Sequence, residues 1–528
     1  MTEPEFPPLS LRVPTGPELD EIVMPAFFDW MRTGRLEVRY LAAAPRLRVS
    51  FFWALMPPAA VGVAVALYFA VYGGWCVPGG ARQFFQWADQ IVGGGPLDPA
   101  IAQRDVGYPL LLVLSGWPWT HSLYGIVAIQ LGFSALMPVL VTLALLPFNR
   151  FGAMLTGVAA ALSLGPVYYA KMIHHDEAYV FWVLATATAL SAFIATKRYR
   201  YLYLFAGVCL LATLTRPAGM LLFPVLLGLA WWYGDWRSPH FVVAGLLFAA
   251  AIIGYRDYRH WLFGEAGYTG AQVFYNPYMN AMDYGVRLDP RGGPALIRLD
   301  ADLRAALARP EFLADHRAIE PPDFAAWMFA GDIAERVWAE PNWEYFTLLC
   351  DAEAADRVLL DAGMELAAAH PLMTARYTLR NLWLFLVNPG WQHSRYNVQR
   401  LNYGGLDFLP AINGPPDRYE RAVLGEAATD LTPARIPEWL VVSWKAACKL
   451  GVPLGMLLVA AAWLRISATR VSAPLVAAFA VVTLLILYEA AVSSVFAEPS
   501  YRYANFIITL RVLASGFAAV VLLGERHG

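Results

Sequence analysis

Residues 472–494 read SAPLVAAFAVVTLLILYEAAVSS, and Glu489 is the sole charged residue among them. A helix needs about 20 apolar residues to cross the ~30 Å hydrocarbon core of a bilayer. This stretch is long enough to do so, and it lacks the polar stripe that a helix facing water would need. Runs of the same kind lie near 51–73, 121–146, 151–169, 178–196, 201–214, 219–234, 241–255, 450–466 and 504–523. With 472–494 they make about ten spans, and the prediction is an all-α polytopic membrane protein. Whole-chain composition agrees: of 528 residues 58% are hydrophobic and 15% charged, with a positive mean hydropathy. A soluble protein carries about 25% charged residues.

The same composition excludes other classes. A net charge of -2 gives no clustered positive excess for a phosphate backbone, so no nucleic-acid partner is expected. Cys76, Cys209, Cys350 and Cys448 are far apart and show no CxxC spacing, which indicates neither a zinc site nor a dense disulfide framework. Cys76 and Cys350 could meet outside the membrane, but the reading is buried or free thiols. The Pro-rich, acidic N-terminus does not resemble a cleavable signal, so the first span is expected to serve as the insertion signal.

Lys and Arg in short loops set the orientation. Arg32, Arg35, Arg39, Arg46 and Arg48 precede the first span, Arg150 follows the second, and Lys197, Arg198 and Arg200 follow the fourth; Arg237, Arg465 and Arg470 fall on the same side if ten spans alternate. That side is predicted to be cytoplasmic, with both termini on it. The expected organisation is a cytoplasmic segment over 1–50, seven spans over 51–255 with a first outer loop at 74–107, an outer cap region over 256–438, and three spans over 439–528. Within the cap, 300–370 reads as helical and 388–437, dense in Gly, Pro and Asn, as ordered loop. Lys445 and Lys449 break the apolar run at 437–449, which reads as an interfacial helix leading into the eighth span.

The outer side then collects the chemically interesting residues. In the first loop Phe84, Phe85, Ala88, Ile91 and Val92 recur at helical spacing, so 81–92 is expected to be an amphipathic helix lying in the interface and ended by glycines. This places Asp89 at the membrane surface, where a carboxylate can act as general base toward an acceptor hydroxyl. A solvated helix-face charge is the competing reading. Further along come Arg104-Asp105-Val106-Gly107-Tyr108-Pro109, the turn His174-His175-Asp176-Glu177 before the fourth span, Thr215-Arg216-Pro217 opening the sixth, and Pro499-Ser500-Tyr501-Arg502-Tyr503 before the last.

These stretches, with His370-Pro371 to Arg380-Asn381 and Asn388-Pro389, resemble GT-C type membrane glycosyltransferases such as the protein O-mannosyltransferases and the aminoarabinose transferases of lipid A. The matches cover about half the chain, and their order and shared sidedness carry the resemblance. It implies inverting transfer of a sugar from a polyprenyl-phosphate donor to a saccharide, lipid or protein acceptor, on the periplasmic face of a bacterial inner membrane. Family members often carry a carboxylate at the very start of the first loop. Here Cys76-Val77-Pro78-Gly79-Gly80-Ala81 has none, which leaves Asp89, Asp105 or Asp98 as the base.

A departing polyprenyl phosphate carries negative charge at the lipid boundary, and a guanidinium presents a planar, permanently charged fork to phosphate oxygens. Arg216, Arg502 and Arg104 are the candidates, with Tyr108, Tyr501, His174, His175, Asp176 and Glu177 as further substrate-binding residues. Snorkelling or headgroup binding is the alternative for each arginine. The His174–Glu177 run offers ligands for a divalent cation, but four adjacent residues at a helix start seldom aim at one ion. A substrate-binding or structural role is therefore favoured over metal, and no cofactor is expected. Glu489 and Arg511 fall at similar depth in neighbouring spans and are expected to form an ion pair. The alternative function is a transporter or flippase of a lipid-linked saccharide. It predicts polar residues strung through the spans, of which few beyond Glu489 and Arg511 are present, and the chain lacks the internal repeat typical of secondary transporters.

Overall fold

The computed structural model describes residues 45–72, 82–94, 105–163, 170, 173–234, 237–263, 289, 291–311, 314, 331–332, 334–335, 352–387, 437–496 and 501–523, with backbone alone over 45–50, 82, 352–360, 384, 438, 441–442, 444–445, 448–449, 493–496 and 501–507. Regular structure among them is helical, without strands. The helices are α1 (Pro45–Val71), α2 (Arg82–Gly93), α3 (Gly107–Leu114), α4 (Trp117–Thr120), α5 (Tyr124–Leu145), α6 (Arg150–Leu162), α7 (Asp176–Thr196) and α8 (Tyr199–Thr215). They continue with α9 (Leu222–Tyr233), α10 (Pro239–Phe263), α11 (Pro294–Leu307), α12 (Ala352–Ala369), α13 (Pro371–Val387), α14 (Glu438–Ala468), α15 (Ala473–Phe496) and α16 (Tyr501–Leu523).

Each of the ten apolar runs falls on one of these helices, as it must where no water is at hand to satisfy backbone N–H and C=O groups. Six are long and apolar enough to cross a membrane: α1, α5, α7, α10, α14 and α15. α6, α8, the Pro217–Tyr233 segment and Ile508–Leu523 are apolar but shorter. The chain is thus a multi-pass membrane protein whose regular structure, among the described residues, is helical.

Three boundaries differ from the sequence reading. α10 continues past 255 to Phe263, through Arg256 and Arg259, so the line drawn between spans and cap falls inside a helix. Charge does not end it, because Arg259 finds a carboxylate in the first outer loop. α14 runs unbroken from Glu438 to Ala468, where a separate interfacial helix was expected. Lys445 and Lys449 interrupt hydropathy but are good helix formers, so the backbone has no reason to break there. Finally, the second span begins at Tyr124 instead of near 121: α3 ends at Leu114, Gly116 adopts φ 84°, and α4 intervenes before α5.

α7 is the central helix. It packs against α5, α8, α15 and α16, and 78% of its apolar window is buried, against 22% for α10 and for α14. Its Ala185-Thr186-Ala187-Thr188-Ala189 stretch is made of small residues that let neighbouring backbones come close. Thr188 Oγ1 uses that proximity to donate to the Leu140 carbonyl of α5 at 3.1 Å. On the outside of the bundle Leu67, Leu114, Trp232, Leu246 and Leu464 are exposed, as side chains facing lipid should be.

Of the stretch 256–438, expected as a cap, α11, α12 and α13 are described. Glu365 of α12 accepts from the backbone N–H groups of Ala295 (3.0 Å) and Leu296 (3.2 Å), satisfying two donors at the start of α11. α13 packs along α15 and contributes Phe385 to the main buried core. The loop-dense stretch 388–436 lies outside the described residues.

Candidate functional site

α7 and α8 are antiparallel neighbours joined by a short turn at Lys197 and Arg198, so the start of α7 and the end of α8 share one end of the bundle. Pro217 excludes the helical region for the residue before it. Arg216 accordingly leaves α8 in an extended conformation, φ -155° and ψ 132°. Its guanidinium reaches the start of α7, where Nη1 lies 3.9 Å from Asp176 Oδ1 and the group sits 5.5 Å from the centre of the Tyr179 ring.

Asp176 is 1% exposed and is approached by both preceding histidines: His174 Nδ1 is 3.2 Å from Oδ2, and His175 Nε2 is 3.4 Å from Oδ1. The two imidazole rings lie 4.0 Å apart, and Phe84 of α2 meets both edge-on at 5.4 Å and 5.2 Å. Three of the four adjacent residues converge, and the fourth does not. The bend at His174 and His175 before α7 folds the rings back onto the first carboxylate of the helix. Glu177 is turned the other way, into the bundle, where it accepts from Ser134 Oγ of α5 at 2.5 Å. It is 1% exposed and is not presented for substrate binding.

Tyr108 is corrected in the same way. It is fully buried, its hydroxyl donates to Gln130 Oε1 at 2.6 Å, and Gln130 Nε2 donates to the Ala170 carbonyl at 3.1 Å. This chain of bonds ties the first outer loop, α5 and the segment before α7 together. Gly107 brings α3 hard against α8: a Cβ there would stand 2.6 Å from the Leu214 carbonyl oxygen and 2.7 Å from the Thr215 nitrogen.

Asp105 sits beside this contact, buried with Arg259 of α10 at 3.3 Å and with the Tyr255 hydroxyl donating at 3.5 Å. The same hydroxyl accepts from the Val106 N–H at 3.0 Å. The guanidinium and the phenol engage this carboxylate, and its plain effect is to lock the segment before α3 onto α10.

Asp89 has a different setting. α2 spans Arg82–Gly93 and ends at Gly94 with φ 66°, close to the expected bounds and with the expected glycine stop. Its apolar face, however, meets protein instead of lipid: Phe84, Phe85, Trp87 and Ala88 are buried, with Phe85 against Trp117 at 4.3 Å. Asp89 is half-buried on the flank of that face. Burial raises its carboxyl pKa above the ordinary carboxylate value, against the opposing pull of His121 and the Trp117 indole. Such a group binds protons more readily than a free aspartate, as a general base requires.

Behind Arg216 lies a second polar layer. Tyr179 donates from its hydroxyl to Glu489 Oε1 at 2.7 Å, and Tyr488 donates to the Ala218 carbonyl. Glu489 therefore faces α7, and the pair expected with Arg511 is not among the ion pairs of the described residues. Similar depth in two neighbouring helices did not give similar facing. Arg104 and Asp98 lie outside the described residues, and so do the side chains of Tyr501 and Arg502 at the start of α16.

Sequence reasoning missed Arg259, Tyr255, Gln130 and Ser134. Two signals were present: the Arg256-Asp257-Tyr258-Arg259 run at the end of an apolar segment, and Gln130 and Ser134 at i, i+4 spacing in an otherwise apolar helix. No family model, no curated protein and no solved structure matches this chain. The site's chemistry is read from its own residues.

Proposed function

We propose that the chain is a GT-C type glycosyltransferase that crosses a bacterial inner membrane ten times, with both termini cytoplasmic, and moves a sugar from a polyprenyl-phosphate donor to an acceptor on the periplasmic side. The observation that carries this reading is the gathering, at one end of the bundle, of a largely buried guanidinium, Arg216, with the carboxylate and imidazoles at the start of α7. Phe84 of the helix that bears Asp89 touches both imidazoles.

In this reading the prenyl chain of the donor lies along the apolar outer faces and its phosphate meets Arg216. Asp89 takes the proton of the acceptor hydroxyl. The acceptor oxygen bonds to the anomeric carbon from the face opposite the phosphate, the bond to phosphate breaks, and the configuration inverts. Asp89 stands about 7.5 Å further along α2 than Phe84 at about 1.5 Å per residue. It is preferred over Asp105 because Arg259 and Tyr255 occupy the latter.

The transporter reading has less support. Within the bundle Thr142 and Thr186 donate to carbonyls of their own helices, and Thr188 to those of Leu184 and Leu140, so these hydroxyl protons go to backbone instead of to a passing substrate. The test is donor turnover: purified protein in lipid nanodiscs, given a polyprenyl-phosphate sugar, should release polyprenyl phosphate, and Asp89→Asn with Asp105→Asn should stop the release. Full turnover in that double variant would remove the base assignment. Donor movement across the bilayer without turnover would favour the flippase.

A further inference from the structure

We infer that His174, His175 and Asp176 form a site for one divalent cation of the zinc class, and that Arg216 makes the loaded site a receptor for phosphate. The phosphate half rests on the proposed donor. The cation half does not.

Two imidazoles and one carboxylate are a donor set suited to zinc and its borderline neighbours, and three protein ligands leave a position open for an exogenous one. One ligand atom from each of His174, His175 and Asp176 can be chosen so that all lie within 4.8 Å of one another. Ligands about 2.0–2.1 Å from a tetrahedral ion stand roughly 3.3–3.4 Å apart. His174 Nδ1 already stands 3.2 Å from Asp176 Oδ2 and His175 Nε2 3.4 Å from Oδ1, so each imidazole meets one carboxylate oxygen at about that distance, and a small turn of the carboxylate would bring one oxygen to both.

The donors are also held in place. All three residues are more than nine-tenths buried, and Phe84 packs edge-on against both rings, which removes rotamer freedom before any ion arrives. A metal takes imidazole in its neutral form, and the two rings stand with their centres 4.0 Å apart. The positive end of the α7 dipole opposes a cation, but it amounts to roughly half a charge. The full charge of Asp176 at ligand distance outweighs it. A divalent ion beside one carboxylate and one guanidinium leaves a double positive charge in a largely buried place. An anion is needed to balance it, and a phosphate oxygen can fill the open position while Arg216 holds a second oxygen.

The experiment uses the full chain in nanodiscs, stripped with a chelator and titrated with zinc chloride. One zinc per chain should survive dialysis, and the His174→Ala, His175→Ala double variant should bind at least tenfold more weakly. Inorganic phosphate should tighten zinc binding to the unmodified protein several-fold. Arg216→Met should raise zinc affinity in phosphate-free buffer, since it removes a cation 3.9 Å from Asp176, and should abolish the effect of phosphate. The cation site is overturned if the unmodified protein binds no more zinc than the double variant. It is equally overturned if the zinc X-ray absorption of the unmodified protein lacks two imidazole nitrogens, a measurement that needs no variant to fold. Phosphate-independent zinc affinity overturns the second half. None of these readings uses donor or acceptor, so a failure of sugar transfer leaves them standing, and their failure leaves the transferase reading to its own test.

Discussion

The two ends of α7, about 30 Å apart along its axis, treat charge in opposite ways. At the C-terminal end Lys197, Arg198 and Arg200 are exposed. Lys197 lies over the Tyr233 ring at 3.2 Å and donates to the Tyr233 carbonyl, both local contacts on a solvated surface. At the N-terminal end Asp105, Asp176, His174, His175 and Arg259 are buried and paired, with Arg216 largely buried beside them. Exposed basic residues of the first kind orient a chain in a membrane and cost little to keep. Buried charges of the second kind are expensive to desolvate and persist only with partners in good geometry. The contrast separates the topology signals from the residues to which the proposed reading gives chemistry, and four experiments can break or sharpen it.

The largest expected effect is on stability. Arg259→Ala leaves the Asp105 carboxylate buried without its guanidinium and should cost about 3–5 kcal/mol, read as a large drop in the thermal unfolding midpoint. Arg259→Ala combined with Asp105→Asn should recover much of it. A midpoint unchanged in the single variant would show that this pair does not hold the first outer loop. Next comes Arg216→Met, expected to slow donor turnover about 10²–10³-fold, as removal of a preorganised charge donor does, while the protein stays folded because Asp176 keeps its two imidazoles. Equal turnover in variant and parent would show that the phosphate is held elsewhere.

The third prediction concerns pH. The Asp89 carboxyl is raised above its ordinary value by burial, so it becomes protonated, and useless as a base, at a higher pH than a free aspartate. Turnover should therefore fall as pH drops through that raised value and recover above it. The sign for stability is the reverse: the folded state holds this proton more tightly than the unfolded chain, so Asp89 favours folding below its unfolded pKa and loses that contribution as pH rises through the folded one. Asp89→Asn should turn over about 10²–10⁴-fold more slowly and lack the acid limb. An acid limb that survives in the variant assigns it to another group. The smallest effect is expected at the basic end: Lys197→Ala should change stability by no more than about 0.5 kcal/mol and leave turnover unaltered. A loss of activity there would erase the distinction between the two ends.

Much of the helical scaffold was legible because apolar length is a local property. The run 472–494 predicts α15 from its own residues, and the spacing of Phe84, Phe85 and Ala88 with the following glycines predicts α2 to within a residue at either end. What those faces meet was not legible. The apolar side of α2 was expected against lipid and is packed on Trp117, Tyr108 and the histidines instead, since lipid and a protein interior select the same side chains. Glu489 was assigned Arg511 from depth alone. Depth gives the height of a residue in the bundle but not its azimuth, and rotation of α15 in the packed bundle turns Glu489 to Tyr179.

The sequence by itself determined an all-helical, membrane-embedded chain, the positions of its apolar helices and the short list of ionisable residues near their ends, because hydropathy and length act within each segment. Only the tertiary structure decided which of those residues act together: Asp176 with Arg216 from the far end of the neighbouring helix, Asp105 with an arginine beyond the expected end of a span, and Asp89 with His121 and Trp117. Pairing depends on how helices rotate and abut, which is fixed by close contacts such as Gly107 on the Leu214 and Thr215 backbone, between segments more than a hundred residues apart.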